Sequence, residues 1–274
     1  MYNLTREASD HEIEQICRLL NQRLGFNYTP QKKYLVQSRL HKRLNELNLK
    51  SYQAYLDILE KDPSEFNKLV ALVTTNVTSF FRESYQFQVL QRELLPVLLT
   101  NNQKVKKLRC WSAGCSSGEE AYTLAIVMNE ALGAGWDLRI LASDISIVKL
   151  QEGMAGEYPQ DRLGEIPKDL RQKYFMQLTA KPDYYQVKPR LREQIHFRKI
   201  NLVEKMDIPD YIKFDLILCR NVFIYLARAS QEKVVQGFYN FLKSGGYLFL
   251  GHSESLNFSD PRWIHFKKSI YQKK

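Results

Sequence analysis

The sequence predicts an α/β fold: a doubly wound, mostly parallel sheet, preceded by an all-α helical domain and carrying a small antiparallel β-subdomain. Three observations lead there. From Leu108 onward, short apolar runs alternate with stretches of helical spacing, the pattern of strands joined by crossover helices. Before residue 75, sets such as Ile13, Ile16, Leu20, Leu24 and Val36, Leu40, Leu44, Leu47 fall at three- and four-residue intervals, one face of a helix each. Around residues 174–188, two short runs of strand-forming residues flank a polar turn, which reads as a hairpin.

The 274 residues suffice for two domains or one large one. A hydrophobic content of 44% and an aromatic content of 12% support a sizeable core and argue against disorder. The formal net charge of +10 implies an acidic partner; nucleic acid and an acidic protein surface both qualify. The first fifteen residues carry charges and no apolar core, unlike a signal peptide, and no apolar run approaches the length of a membrane span. A cytoplasmic protein without membrane insertion is therefore expected. Cys17, Cys110, Cys115 and Cys219 are scattered, form no C-x-x-C pair and read as reduced core thiols; no metal site is expected.

Ser9-x-x-Glu12 is a capping box opening a helix whose Ile13, Ile16, Leu20 and Leu24 share one face, closed by Gly25. After Pro30 a second helix is predicted to about Leu49, with Val36, Leu40, Leu44 and Leu47 as its buried stripe. Lys32, Arg39 and Arg43 lie on a neighbouring stripe with Lys42 and His41 nearby. Between Tyr28 and Lys50, six Lys/Arg face one acid, Glu46. This is either a solvated face or a docking surface for an acidic helix or a phosphate backbone. Ser51 and Ser64 are predicted to cap two further short helices on either side of Pro63. The linker TTNVTSFFRES, Thr74 to Ser84, is too aromatic to lie free in solvent and should pack on something. A helix from about Tyr85 to Leu99 carries it to the first strand. The domain division is thus 1–75 helical, 76–106 linker and connecting helix, and 107–274 sheet domain, with the β-subdomain at about 172–200.

The stretch from Lys107 to Met128 organises the second half. An apolar strand, Leu108 to Trp111, runs into a turn of small residues, Ser112 to Gly118. Glu119 and Glu120 then open a helix with Ala121, Leu124, Ala125 and Met128 at helical spacing. Small residues let a backbone approach a ligand closely, so strand, turn and acidic helix start suggest a nucleotide-type cofactor loop. Gly114-Cys115-Ser116-Ser117-Gly118 also fits the G-x-S-x-G elbow of α/β-hydrolases, with Ser116 as nucleophile and His196 or His252 as base.

A second strand, Leu138 to Ala142, ends in Ser143-Asp144; an acid there suits a ribose diol, or a helix N-cap. Gly153 to Pro167 reads as irregular. Then come the hairpin, Tyr174–Leu178 and Tyr184–Lys188 about Thr179-Ala180-Lys181-Pro182-Asp183, and a strand, Ile195–Lys199, leading to Asn201-Leu202. Phe214–Cys219 is an apolar strand leading into Arg220-Asn221-Val222-Phe223-Ile224-Tyr225. A helix at about Gln231–Leu242, a strand at Tyr247–Gly251 and a last strand at Ile264–Tyr271 complete the chain, with one antiparallel member at the end.

TTNVTSFFRE, WSAGCSSGEEAYTLA, ASDIS, ILCRNVFIYL and SGGYLFLGHSESL together resemble the chemotaxis receptor (methyl-accepting protein) glutamate O-methyltransferases, the CheR family, over nearly the whole chain. The resemblance implies a Rossmann-like S-adenosylmethionine-dependent methyltransferase sheet behind an N-terminal all-α domain. It implies methyl transfer to glutamates on receptor signalling helices, with S-adenosylhomocysteine as product. Residue by residue, it implies Asp144 for the ribose, Glu119 for polar groups at the helix start and Arg82 for the methionine carboxylate. Asn76 and Thr78 would line the pocket from the linker, and Asn201, Leu202, Arg220 and Asn221 would border the adenine and methionine ends. Tyr225 is the candidate for orienting the acceptor carboxylate, and Lys32, Arg39, Lys42 and Arg43 for meeting the receptor.

Two alternatives stand beside this reading: the hydrolase using Ser116, and a nucleic-acid methyltransferase, which the charge permits. Amino-methylating nucleic-acid enzymes carry an Asn/Asp-Pro-Pro-Tyr/Phe string where this chain has Arg220-Asn221-Val222-Phe223, so no nucleic-acid partner is expected. The hairpin turn lacks the glycines that family members tethered by a receptor-tail peptide tend to have; no such tether is expected, and the protein is expected to be a monomer.

Overall fold

The computed structural model describes residues 9–28, 33–74, 77–256 and 260–274. The front of the chain is helical: α1 (Asp10–Leu24), α2 (Lys33–Glu46), α3 (Tyr52–Lys61) and α4 (Pro63–Val73). The Ser9 box forms as expected: Ser9 Oγ accepts from the Glu12 amide and Glu12 Oε2 accepts from the Ser9 amide at 3.0 Å. Ser51 caps α3. Ser64 does not cap α4. Asp62 does, accepting from the Ser64 amide at 2.8 Å, because Pro63 supplies the preset first-turn geometry and lacks the N–H a cap would need there. Ile13, Ile16, Leu20, Val36, Leu40, Tyr55 and Leu69 close a core of their own.

The predicted connecting helix is interrupted. α5 (Ser84–Val89) passes through a π-helical turn, Leu90–Leu94, into α6 (Leu95–Asn102). Pro96 explains this: it cannot donate to the preceding turn and its ring crowds the carbonyl four residues back, so the ladder widens ahead of it. The aromatic linker packs as expected. Phe80 is fully buried, edge-on to Tyr158 at 5.0 Å and to Phe175 at 5.5 Å.

The remaining elements, in chain order, are β1 (Lys107–Ala113), α7 (Glu119–Ala131), β2 (Asp137–Asp144), α8 (Ile147–Ala155), β3 (Glu157–Pro159), α9 (Lys168–Tyr174), β4 (Phe175–Leu178), β5 (Lys181–Val187), α10 (Pro189–Arg192), β6 (Ile195–Lys199), β7 (Phe214–Cys219), α11 (Arg228–Phe241), β8 (Leu242–Leu250), β9 (Trp263–Lys267) and β10 (Ile270–Lys273). The main sheet has seven strands in the order β6-β2-β1-β7-β8-β10-β9. Pairing is parallel from β6 through β8 and antiparallel at β10 and β9. β7 is buried at every position, as expected of a central parallel strand, and its one charged residue, Asp215, is satisfied by Asn102, the Arg109 amide and Lys243.

Three differences from the sequence reading are local. The last predicted strand is a hairpin, β9 and β10, broken at Lys268-Ser269, with Ser269 at a positive φ. The supposedly irregular stretch after Gly153 contains β3, which pairs with β5 to make a three-stranded sheet, β3-β5-β4. The subdomain therefore begins near residue 157, and β6 belongs to the main sheet rather than to it. Finally, the hairpin turn is the pair Thr179-Ala180, and Pro182 lies inside β5 next to a register shift at Gln177/Leu178, where a missing donor is tolerated.

The chain leaves β1 toward β2 and β6 on one side and returns to β7 and β8 on the other. The carboxyl ends of β1 and β7 thus flank the switch point, where open α/β sheets bind ligands.

Candidate active site

A cleft of about 220 Å³ opens at that switch point. Its floor comes from the strand ends: Gly114 and Ser116 after β1, Asp144 at the end of β2 and Ile145 after it, Ile200 to Val203 after β6, and Arg220 to Asn221 after β7. Its other wall belongs to the helical domain and linker, with Leu24, Phe26, Val73, Val77 and Thr78.

The loop after β1 is fixed from below. The Gly114 and Cys115 amides both donate to the Ser143 carbonyl, at 2.7 and 2.9 Å. Gly114 has φ +84°, and a Cβ there would lie 2.4 Å from Val222 Cγ2, so this turn and the segment after β7 approach to a distance that glycine alone permits. Asp144 joins the loop to β2. Its carboxylate accepts from the Ser116 amide at 2.8 Å and the Ser146 amide at 2.9 Å. Burial pushes its pKa up, against the lowering effect of these backbone donors.

Arg220 is the cation at the floor, its side chain 3% exposed and stacked over Phe87. It donates to the Arg82 carbonyl, to Glu83 at 3.2 Å and to Glu120 at 3.4 Å. Its Nε is buried with no hydrogen-bond partner among the described residues. Glu120 also accepts from Ser112 at 2.6 Å, and burial raises its pKa despite Arg220. Burial opposes ionisation of Glu83 too, but the Asn221 amide group, Arg220 and the His252 backbone N–H outweigh it and hold its pKa low. Phe81, Glu83, Ser116 and Asn221 all have positive φ without being glycine. Such backbone cost clusters at binding sites, where the surrounding contacts hold it in place.

The sequence-predicted residues divide clearly. Thr78, Arg82, Asp144, Asn201, Leu202, Arg220, Asn221 and Tyr225 all line the cleft. Arg82 is half-buried and donates to the Val77 carbonyl at 2.6 Å; Asn201 donates to the Arg23 carbonyl at 2.8 Å and so ties floor to helical wall. Asn76 and Lys32 lie outside the described residues. Glu119 is not in the cleft lining. It is fully buried with its carboxylate held by Ser117 Oγ at 2.7 Å and Arg162 at 2.9 Å, while the next residue, turned by one helical step, faces the cleft. Arg43 and Arg39 are engaged internally: Arg43 pairs with Glu65 at 2.7 Å and Glu46 at 2.9 Å, and Arg39 donates to the Val73 carbonyl. Lys42 is exposed. Sequence reasoning gave no site role to Glu83, Glu120 or Glu254; all three sit in strings that carried the resemblance, TTNVTSFFRE, WSAGCSSGEEAYTLA and SGGYLFLGHSESL, which is the signal that could have found them.

The donor set fits one kind of ligand. A buried carboxylate beside close-approaching backbone suits a diol, an arginine with a spare N–H suits a carboxylate, and Glu120 suits an ammonium group. Sheet order, switch-point cleft and these groups define a nucleotide-cofactor methyltransferase, and residues 76–272 match the family described as CheR methyltransferase, SAM binding domain. Residues 11–74 match the CheR methyltransferase all-alpha domain. The chain is 37% identical to a chemotaxis protein methyltransferase of Borreliella burgdorferi over 93% of this chain and 92% of that one. It is 35% identical to that of Salmonella typhimurium over 92% and 85%. Among solved structures, the methyltransferase domain of bacterial CtHen1-CN overlaps with a TM-score of 0.33 at 14% identity, over 59% of this chain and 64% of that chain. This chain belongs to the CheR methyltransferase family. Neither the Ser116 hydrolase nor a nucleic-acid methyltransferase finds support in these relationships. No helix among the described residues is long and apolar enough to cross a membrane.

Proposed function

We infer that this protein transfers a methyl group from S-adenosylmethionine to glutamate carboxylates of chemotaxis receptors, leaving S-adenosylhomocysteine and a glutamate methyl ester. The observation that carries this is the cleft itself: the polar set Asp144, Glu120 and Arg220 at the switch point, walled by the helical domain, in a chain of this family. S-adenosylmethionine supplies a methyl group on a cationic sulfonium. Asp144 is positioned to hold a ribose diol, and Arg220 and Arg82 to hold a carboxylate. The contact with the cofactor's polar groups that the resemblance gave Glu119 is better filled by Glu120, which lies in the cleft wall and suits an ammonium group. A glutamate side chain, with an ordinary pKa of about 4.3, is already ionised at neutral pH and needs no base. The chain's task is alignment, which can supply several kcal/mol by proximity alone. Tyr225, at the cleft edge, can donate its hydroxyl to the incoming carboxylate without competing as a base.

Calorimetry with S-adenosylmethionine and S-adenosylhomocysteine tests the reading, followed by transfer of a labelled methyl group to receptor-containing membranes. Similar affinities for both ligands are expected, because adenine, ribose and amino-acid contacts are shared; no heat with either on folded protein would overturn it.

Two finer points belong to the same reading. The protein works as a monomer, which a molecular-mass measurement at working concentration checks. It also works without a receptor-tail tether: the Thr179-Ala180 turn has no glycine, and Pro182 removes a donor from β5. Low-micromolar binding of tail peptides at this hairpin would refute the second point.

A further inference from the structure

We propose that Glu254 is a positioning residue for methyl transfer: its buried carboxylate holds the Asn221–Tyr225 turn and thereby sets where Tyr225 meets the acceptor. The proposal rests on the reading of the cleft given above.

Glu254 is 6% exposed and does not line the cleft. Its Oε2 accepts from the Gly251 amide at 2.6 Å and the Asn221 amide at 2.9 Å, and its Oε1 accepts from the Ile224 amide at 3.2 Å. One carboxylate thus binds the start and the middle of the turn that carries Tyr225. Three backbone donors are the arrangement that an ionised carboxylate satisfies and a neutral side chain does not. The fit is tight: a Cβ at Gly251 would lie 2.7 Å from the Asn221 amide nitrogen and 2.8 Å from Glu254 Oε2. Asn221 itself sits at φ +58°, so the turn needs outside contacts to keep its shape.

Two acids share the segment unequally: Glu83 holds only its start, through the Asn221 side chain, whereas Glu254 holds backbone from Asn221 to Ile224. The Asn221 side chain, on the cofactor side, donates to Glu83 at 3.1 Å. The backbone leading to Tyr225, on the acceptor side, depends on Glu254. The Asn27 amide donates to the Tyr225 carbonyl at 2.8 Å, so the turn is tied both to Glu254 and to the helical domain. Losing the Glu254 grip should therefore disturb acceptor alignment more than cofactor binding.

Glu254→Gln keeps the volume but sets an amide N–H₂ against a backbone N–H at one of the two oxygen positions. In the full chain, the expected results are a Kd for S-adenosylhomocysteine within threefold of wild type and a KM for receptor within threefold. The kcat should fall at least about tenfold, and amide hydrogen exchange across residues 221–226 should speed up. Adding Tyr225→Phe to Glu254→Gln should cost less than a further twofold, because both changes act on one alignment. If Glu254→Gln does not fold, Glu254→Asp, which keeps the charge but reaches fewer amides, should give the same pattern at smaller size. A kcat within twofold of wild type, a kcat loss matched by an equal loss of ligand affinity, or fully multiplicative effects with Tyr225→Phe would overturn the proposal. Wild-type protein that binds no S-adenosylhomocysteine would refute the reading of the cleft, and the exchange rates across 221–226 would still decide whether Glu254 holds the turn.

Discussion

Arg43 and Arg220 each meet two carboxylates in a mostly buried setting, and the two clusters do opposite things. Arg43 grips Glu65 bidentately, Nε to Oε1 at 2.8 Å and Nη2 to Oε2 at 2.7 Å, while Tyr55 adds a third bond at 3.1 Å. The Arg43 bonds lower the Glu65 pKa, outweighing burial. Arg220 reaches Glu83 and Glu120 at 3.2 and 3.4 Å, keeps an Nε without a partner among the described residues, and leaves the Glu120 pKa raised by burial. A pair whose bonds are complete stabilises the helical domain and has nothing left to offer a ligand. A pair left incomplete holds charge at an electrostatic cost and keeps donor and acceptor capacity for whatever enters the cleft.

The largest effect should come from breaking the complete pair. Glu65→Ala removes the buried partner of Arg43 and Tyr55, leaving Arg43 only the exposed Glu46 among the described residues, and is expected to cost about 3 kcal/mol of stability, measured by urea unfolding. Glu120→Gln should cost clearly less and act on ligand affinity instead; equal losses in the two variants would break the comparison. The pH dependence follows the same logic. Glu65 is lowered in the folded state, so its contribution is present above its unfolded value and is lost as pH falls through the folded one.

Next in size is Asp144→Ala. A charge-assisted bond is worth roughly 1.5–3 kcal/mol, so the Kd for S-adenosylhomocysteine should rise at least about tenfold with the fold retained. Asp144 is raised, so acidification should weaken wild-type binding from a higher pH than an ordinary aspartate would, and the variant should lose that component of the profile. Calorimetry across pH sees both; unchanged affinity would return Asp144 to a purely structural role in fixing the loop.

The smallest effect concerns the basic helix. Lys42→Glu should raise the receptor KM roughly twofold to fivefold, the scale of one exposed pair, and added salt should erase the difference. Arg43→Glu should instead unfold the helical domain, because it sets a third carboxylate beside Glu65 and Glu46. A soluble, active Arg43→Glu protein would show that the cluster is less closed than its geometry indicates.

That contrast also marks how far the sequence reaches. Arg39 and Arg43 read as a basic stripe because local spacing says which residues share a helical face. It says nothing of what another helix brings to that face, and Glu65, 22 positions away, arrives only through packing. Glu119 and Glu120 both read as an acidic helix start and the resemblance pointed to Glu119; in the fold Glu119 is paired with Arg162 away from the cleft, and Glu120, beside Arg220, lines it.

By itself the sequence determined the elements whose signals are local. The Ser9 cap, the apolar runs of β1 and β7, the small-residue turn after β1 and the acid after β2 are all stated by neighbouring residues, since caps, strand periodicity and tight turns are short-range physics. Only the tertiary structure decided the couplings. Glu83 reaches Asn221 across 138 positions and Glu254 reaches it across 33, and a carboxylate's partner, burial and pKa depend on which chain segments the sheet order brings together rather than on its neighbours in sequence.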